Sequence, residues 1–122
     1  MKYKLIQRVN PQERSQTKWY ASPVNDGKIT KSDLAKEIVN TSSLSRGDVS
    51  SVIENLIDIM PKYLLMGKSI QLGELGTLRV SFSSEGVENE AELNTNKIKG
   101  VKFVFNPSVE LKKQLNEIHF EK

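Results

Sequence analysis

The chain has 122 residues, of which 37% are hydrophobic and 27% charged, and its formal net charge is +3. This length fits one domain, and the low apolar fraction predicts that a second copy of the chain supplies part of the core. Cysteine is absent, which excludes disulfides and thiolate metal sites, and the single histidine, His119, cannot build a metal site alone. We find no apolar run approaching the roughly 20 residues of a membrane span and no signal-peptide pattern, so we expect an intracellular protein.

Charge is distributed unevenly along the chain. Residues 1–32 carry a net charge of +5 and residues 98–122 carry +2, whereas residues 83–97 carry −3. A mildly basic chain with basic ends is compatible with nucleic-acid binding but does not establish it.

The first 27 residues predict an N-terminal extension of two β-strands. Residues 3–9 have the pattern of a strand, and a second short strand at 19–21 follows a polar turn. The two strands are expected to form a hairpin or to pair with an available sheet edge. Trp19 and Tyr20 are interpreted as anchors of this extension on the main body. Base stacking is the alternative, but the single Trp has no aromatic partner at the spacing of a stacking platform.

Two helices follow, and each begins at a capping residue. Thr30, with Asp33 three positions later, predicts the start of a short helix. Ser45, with Asp48, predicts the start of the longest helix, which runs to about residue 66. This second helix is apolar on more than one side and therefore needs more than one packing partner, which in so short a chain predicts another protomer. The same apolar breadth argues against a DNA-reading helix-turn-helix.

The stretch 67–105 predicts two strands joined by a long polar excursion. Apolar and polar residues alternate from Leu78 to Phe82, after a Gly-x-x-Gly turn, and the alternation resumes at Ile98. A structureless loop of this length is uncommon in a compact domain. The simplest interpretation is an extended hairpin arm, at about 82–100, whose base belongs to the core and whose tip does not.

A short helix is predicted at the end of the chain. Pro107 suits the first turn of a helix, and Val109, Leu111, Leu115 and Ile118 then form an apolar stripe. The order of elements is that of an α+β protein, with an N-terminal β extension at 1–27 and a main domain at 28–122.

This order of elements, together with several short motifs, resembles the HU and integration-host-factor family of bacterial architectural DNA-binding proteins. The strongest motif is Gly67-Lys68-Ser69-Ile70-Gln71-Leu72-Gly73-Glu74-Leu75-Gly76-Thr77-Leu78, which is similar to the family sequence that leads into its arm. Phe105-Asn106-Pro107 followed by Leu111-Lys112 resembles the family's closing motif. The N-terminal extension resembles that of an HU-like subfamily of Bacteroides-type bacteria. The resemblance covers roughly three quarters of the chain.

The resemblance implies an HU-like intertwined homodimer, from which two β-arms reach into the DNA minor groove and insert an apolar wedge that bends the duplex. Val87 and Leu93 are the wedge candidates, although an apolar loop residue more often packs on its own hairpin. The implied dimer interface is apolar: Val49, Ile53, Leu56, Met60, Leu64, Phe103 and Phe105. The implied DNA contacts are cations: Lys31, Lys68, Arg79, Lys97, Lys99, Lys102, Lys112 and Lys113. No cofactor and no metal are implied.

The arm departs from the family pattern in its charge. Family arms are basic and end in Arg-Asn-Pro, whereas residues 86–94 contain neither Arg nor Pro, and four glutamates lie between residues 85 and 92. Glu88, Glu90 and Glu92 are expected to share one face of a strand. Glutamates repel DNA phosphates and release no counterions. The cations of the N-terminal extension are a hypothetical compensation: Lys2, Lys4, Arg8 and Lys18.

Two functions remain open at this point. The first is sequence-tolerant binding of double-stranded DNA by a dimer in the bacterial nucleoid, with DNA bending and condensation. The alternative is an HU-fold module that binds a protein partner through its acidic arm and binds DNA weakly or not at all. A membrane role is not expected. Enzymatic activity is not expected either, because no nucleophile–base grouping, phosphate loop or metal cluster is recognisable.

Overall fold

A computed structural model describes residues 1–122 and contains five β-strands and three α-helices. The elements are β1 Tyr3–Val9, β2 Thr17–Pro23, α1 Lys31–Thr41, α2 Arg46–Leu64, β3 Ile70–Gln71, β4 Gly76–Ser84, β5 Ile98–Pro107 and α3 Val109–Gln114. This mixture of helices and antiparallel sheets agrees with the predicted α+β class. None of the helices has the combination of length and hydropathy that crossing a bilayer requires.

Strands β1 and β2 form a separate antiparallel hairpin, which is one of the two predicted arrangements. Its turn is closed by a hydrogen bond of 2.9 Å from the amide of Asn10 to the carbonyl of Gln16. The end of the chain lies parallel to the start of β1. The carbonyl of Glu121 accepts from the amide of Tyr3 at 3.0 Å, and the amide of Glu121 donates to the carbonyl of Met1 at 3.0 Å. The base of the hairpin is therefore fixed to the C-terminal segment.

Helices α1 and α2 begin at the predicted capping residues. The hydroxyl oxygen of Thr30 accepts from the amide of Asp33 at 3.2 Å, and the Asp33 carboxylate accepts from the amide of Thr30 at 2.9 Å. This is a complete capping box, which satisfies two otherwise unpaired donors. At α2, the Ser45 hydroxyl accepts from the amide of Asp48 at 3.1 Å.

Two glycines direct the chain from α2 into β4. Gly67, with φ +86°, follows the end of α2 at Leu64, and the left-handed backbone at this position favours glycine. Gly76 opens β4 with φ +146°, and a Cβ atom there would lie 2.9 Å from the Phe105 ring and overlap the Asn106 carbonyl. Only glycine fits this crossing of the two strands.

Strands β3, β4 and β5 form an antiparallel sheet in that order. The ladder between β4 and β5 contains one irregularity, between the pairs Ser81–Lys102 and Ser83–Lys99. Two residues of β5 oppose one residue of β4 there, and Gly100 has φ +66°. This is a β-bulge with glycine in the left-handed conformation that bulges often require.

The tip of the arm is not a continuation of the strands. The ladder ends at the pair Ser84–Ile98, and the residues beyond it include 3₁₀ turns at Glu90–Glu92 and Thr95–Lys97. The expectation that Glu88, Glu90 and Glu92 share one face of a strand is therefore wrong. Local hydrogen bonds replace strand pairing there, since the Asn94 side chain accepts from the amide of Asn96 at 2.9 Å.

Helix α3 begins at Val109, two residues after Pro107. Pro107 is the last residue of β5, and Ser108 caps the helix by accepting from the amide of Leu111 at 3.0 Å. The predicted place of Pro107 in the first helical turn is therefore wrong. Ser108 also donates from its amide to the carbonyl of Leu75 at 3.1 Å, which joins α3 to the turn before β4.

The single chain buries very little of itself. Only four residues are buried, among them Ala35, Val49 and Leu64, and the accessible surface is 10570 Å². A compact monomer of this mass exposes roughly 6,600 Å². Part of the excess belongs to the projecting hairpin and arm, and part belongs to exposed apolar side chains.

The aromatic pair of the N-terminal hairpin does not hold it on the body. Trp19 is 65% exposed and Tyr20 is 43% exposed. The interpretation of these residues as anchors is therefore wrong within a single chain. The hairpin is attached by backbone hydrogen bonds at its base instead.

Candidate nucleic-acid interface

The paired strands β4 and β5 have two chemically different faces. Residues directly opposite one another in an antiparallel pair project to the same side. The pairs Leu78–Phe105 and Val80–Phe103 therefore form an apolar face. The opposite face is mainly polar and cationic, with one apolar residue, Val104, opposite Arg79: Thr77, Arg79, Ser81, Ser83, Lys99, Lys102, Val104 and Asn106. We call its three cations, Arg79, Lys99 and Lys102, the basic arm face.

The bulge at Gly100 assembles the basic arm face. Lys99 and Lys102 are three positions apart, so in a regular strand they would project to opposite sides. The extra residue shifts the alternation by one, and both lysines then lie opposite serines of the same face of β4, Ser83 and Ser81. Pairing of the two strands was predicted from the sequence, but this shift was not. The glycine between the lysines is the only sequence signal for it.

The cations of the arm differ in their partners. Arg79 donates from Nε to the Asn106 side-chain oxygen at 3.1 Å, which leaves its terminal nitrogens available. No acidic side chain pairs with Lys102. Glu85 lies 3.4 Å from Lys99 and 3.9 Å from Lys97, between its carboxylate oxygens and their Nζ atoms. Glu85 therefore partly neutralises two of the predicted DNA contacts.

The other predicted cations lie on different elements. Lys31 pairs with Glu54 across α1 and α2. Lys68 lies between α2 and β3, and Lys112 and Lys113 lie in the last turn of α3. Of the eight predicted cations, the structure places three on one continuous face and connects a fourth, Lys97, through Glu85.

The predicted dimer-interface residues divide into three groups by their exposure in the single chain. Val49 and Leu64 are buried within the single chain, which leaves almost none of their surface for a partner, and Ile53 and Met60 are half-buried. Leu56, Phe103 and Phe105 are exposed.

A second apolar stripe on α2 is exposed. It consists of Val52, Leu56, Ile59 and Tyr63, each between 40% and 55% exposed. Their spacing of four, three and four residues places them on one side of the helix. The sequence alone does not separate this stripe from the buried one, because both sides of α2 are apolar.

No group of three or more His, Cys, Asp or Glu side chains is placed to hold a metal ion. The pKa of Asp33 is lowered by hydrogen bonds from the backbone amide and the hydroxyl of Thr30. That carboxylate caps a helix.

The fold is similar to that of a solved bacterial structure. The crystal structure of a "Putative bacterial DNA binding protein" from Bacteroides vulgatus ATCC 8482 matches 98% of this chain, with a TM-score of 0.60 and 13% sequence identity. At this identity the similarity concerns the fold alone. The present chain covers 47% of that protein, about half of its length.

The sequence comparisons assign the family. No curated protein matches the sequence. The family model HU-HIG, described as an HU domain fused to wHTH, Ig, or Glycine-rich motif, matches residues 1–122. The match includes the N-terminal hairpin as well as the helices and the arm, and the chain therefore belongs to the HU-HIG family.

Proposed function

We propose that this protein is a non-enzymatic, bacterial, HU-type DNA-binding protein that acts as a homodimer in the nucleoid and binds double-stranded DNA with little sequence preference. The observation that carries the proposal is the basic arm face, which sets three cations among hydroxyl and amide side chains. Arg, Lys and hydroxyl side chains are the usual partners of phosphate oxygens. No cofactor takes part in this function.

Contact with phosphates explains why little sequence preference is expected. Phosphate contacts set the position of a protein on DNA but do not distinguish bases. Their free energy comes largely from counterion release, and it falls steeply as salt rises. The local charge is modest because Glu85 pairs with Lys97 and Lys99. We therefore expect weaker binding than a fully basic arm would give.

A homodimer accounts for part of the surface that the single chain leaves exposed. The chain exposes about 4,000 Å² more than a compact monomer of its mass. Obligate dimers bury roughly 2,000–5,000 Å² in total, which is roughly 1,000–2,500 Å² from each chain. We propose that the stripe Val52, Leu56, Ile59 and Tyr63 packs against the partner, together with Phe103 and Phe105. This replaces Val49 and Leu64 in the predicted interface.

We further propose that the arms bend the DNA. Leu93, at the tip of the arm, is 52% exposed, whereas Val87 is half-buried. Of the two wedge candidates, Leu93 therefore has more surface available for insertion between base steps.

The test is binding of the dimeric protein to a short labelled duplex, intact and nicked, across about 50 to 200 mM salt. Fluorescence anisotropy gives the affinity, and light scattering establishes the dimer. We expect a steep decrease in affinity with salt, and tighter binding to the nicked duplex if the arms insert. Absence of binding to either duplex at low salt would overturn the proposal.

A second function has one specific observation in its favour. The tip carries Glu88, Glu90 and Glu92, all exposed and without cationic partners. An acidic surface of this kind suits a basic protein partner, and the HU fold would then serve as an interaction module. Such an interface requires no DNA, so it predicts a dimer that binds neither duplex.

A further inference from the structure

The N-terminal hairpin has two faces of opposite character. Opposite residues in its ladder project to the same side, as in the arm. The pairs Leu5–Ala21 and Gln7–Trp19 lie on a mainly apolar face. The other face carries Lys4, Ile6, Arg8, Lys18, Tyr20 and Ser22. We call its three cations, Lys4, Arg8 and Lys18, the basic hairpin face.

Two of these cations are direct neighbours. Arg8 lies opposite Lys18 in the ladder, and like charges placed this way destabilise a strand pair. No acidic side chain pairs with Lys4, Arg8 or Lys18, whereas nearby Lys2 lies 3.3 Å from Asp26. Arg8 instead lies over the Tyr20 ring, 5.6 Å from its centroid, which confirms that the two side chains share a face.

The base of the hairpin has a defined attachment. The amide of Val24 donates to the carbonyl of Lys2 at 3.0 Å, and the terminal amino group of Met1 donates to the carbonyl of His119 at 2.6 Å. The basic hairpin face is thus presented on a strand pair that is joined to the segment following α3.

We propose that the basic hairpin face is a second DNA-contact surface, which binds phosphate oxygens of the same duplex that the basic arm face contacts. The inference rests on the proposed function. Its basis is charge complementarity. Cations that lie together on one exposed face repel one another, and binding of a polyanion such as DNA removes that repulsion. Lys4 and Arg8 are four strand residues, or about 13 Å, apart. That length of duplex carries roughly eight phosphates.

This second surface accounts for the distribution of charge in the chain. Residues 83–97 carry a net charge of −3 and residues 1–32 a net charge of +5. Cations that the arm lacks at its tip are present on the hairpin, where no glutamate pairs with them. Affinity for DNA then depends on the hairpin as well as on the arm base.

The test compares two double variants of the full chain that remove the same charge. The first is Arg8→Gln with Lys18→Gln, and the matched control is Lys36→Gln with Lys62→Gln, both exposed lysines outside the hairpin and the arm. Each protein is titrated with the same duplex across a salt series. Trp19 fluorescence, circular dichroism and light scattering show whether fold and dimer are retained.

We expect the hairpin variant to reduce the slope of log affinity against log salt by about 1.8 for each hairpin that contacts the duplex, since each neutralised phosphate contributes about 0.9 to the slope. The control should keep the wild-type slope. A hairpin variant that keeps its fold and has the slope of the control would overturn the inference while leaving the proposed function intact. Failure of the wild-type protein to bind DNA would overturn the proposed function itself.

A third outcome would show that the basic hairpin face binds protein and not DNA. The acidic arm tip of another copy of this chain is also complementary in charge to the basic hairpin face. If the hairpin variant changes the assembly state in light scattering and leaves the DNA slope unchanged, the face binds protein and the inference is wrong.

Discussion

The two antiparallel strand pairs of this protein are alike in architecture and different in electrostatics. Each has one apolar face and one face with three cations. In the arm, Glu85 pairs with Lys99, and Arg79 is hydrogen-bonded to Asn106. In the N-terminal hairpin, no acidic side chain pairs with Lys4, Arg8 or Lys18, and Arg8 directly opposes Lys18. We therefore expect DNA binding to follow the number of cations that lack an acidic partner more closely than the net charge of each segment.

The difference also concerns how each strand pair is supported. The arm extends from a three-stranded sheet that is hydrogen-bonded to the start of α3. The hairpin is a separate two-stranded sheet that is attached by backbone hydrogen bonds at its base. A two-stranded hairpin alone is only marginally stable in water. The arm strands have additional support in the proposed dimer, because their apolar face is part of the surface that we assign to the dimer interface.

The largest effect is expected from a charge in the proposed dimer stripe. Ile59→Asp should weaken the dimer at least about a hundredfold, because an unpaired charge in a buried interface costs roughly 3 kcal/mol or more. Light scattering over a concentration series measures this. Ser51→Asp adds the same charge to an exposed position on another side of α2 and should leave the dimer unchanged. Equal behaviour of the two variants would remove the stripe from the interface.

The next largest effect is expected on stability, from a substitution at the first residue of β4. Gly76→Ala should lower the free energy of unfolding by about 1–3 kcal/mol, because φ +146° is unfavourable for alanine and the new Cβ meets Phe105. Gly86→Ala is the control, since its φ is ordinary and nothing lies within 4 Å of a Cβ there. Thermal and denaturant unfolding measure both. A Gly76→Ala protein as stable as Gly86→Ala would contradict the close strand crossing.

The arm and the hairpin can then be compared directly. Arg79→Gln with Lys102→Gln should reduce the salt slope of DNA binding by about 0.9 for each phosphate that the variant no longer neutralises. The same double control, Lys36→Gln with Lys62→Gln, applies. If the arm variant binds like the control and only the hairpin variant binds more weakly, the arm is not the principal DNA-binding surface.

Removal of the Glu85 charge should strengthen DNA binding, whereas removal of cations should weaken it. Glu85→Gln frees Lys97 and Lys99 and should tighten DNA binding a few-fold, since exposed ion pairs are worth about 0–1 kcal/mol. Glu88→Gln removes the same charge without breaking an ion pair. An equal gain from both variants would show that the charge of the tip, and not the ion pairing, limits affinity.

The smallest effect concerns pH. The pKa of Asp33 is lowered below its ordinary value of 3.8 by hydrogen bonds from Thr30, so the ionised carboxylate stabilises the fold. That contribution is present above the pKa of the unfolded chain and disappears as pH falls through the folded pKa. Asp33→Asn should therefore flatten the pH dependence of stability in the acid range. An unchanged acid profile in unfolding experiments would contradict this role.

Local features of the fold were predictable from the sequence. Thr30 and Ser45 were predicted as caps because their hydrogen-bond partners lie three residues away. The strands of the arm were predicted because their side chains alternate. The pairing of the arm strands was predicted, but their register was not, and the bulge that places Lys99 and Lys102 on one face was therefore missed.

The same reasoning explains which parts of the candidate site were missed. The ion pairs of Glu85 depend on how the arm tip folds. The alternating glutamates predict a strand there, whereas the chain forms 3₁₀ turns, so these ion pairs could not be predicted. The exposure of Trp19 depends on where the hairpin lies, which no local pattern records. On α2, two apolar stripes look alike until one of them is buried against the rest of the chain.

The central claim is that the basic faces of the two strand pairs contact DNA. Lysine acetylation followed by mass spectrometry, with and without a saturating duplex, tests it residue by residue. We predict that DNA protects Lys18, Lys99 and Lys102 while Lys36 and Lys62 react at the same rate in both samples. Equal labelling of Lys99 and Lys102 with and without bound DNA would contradict the account.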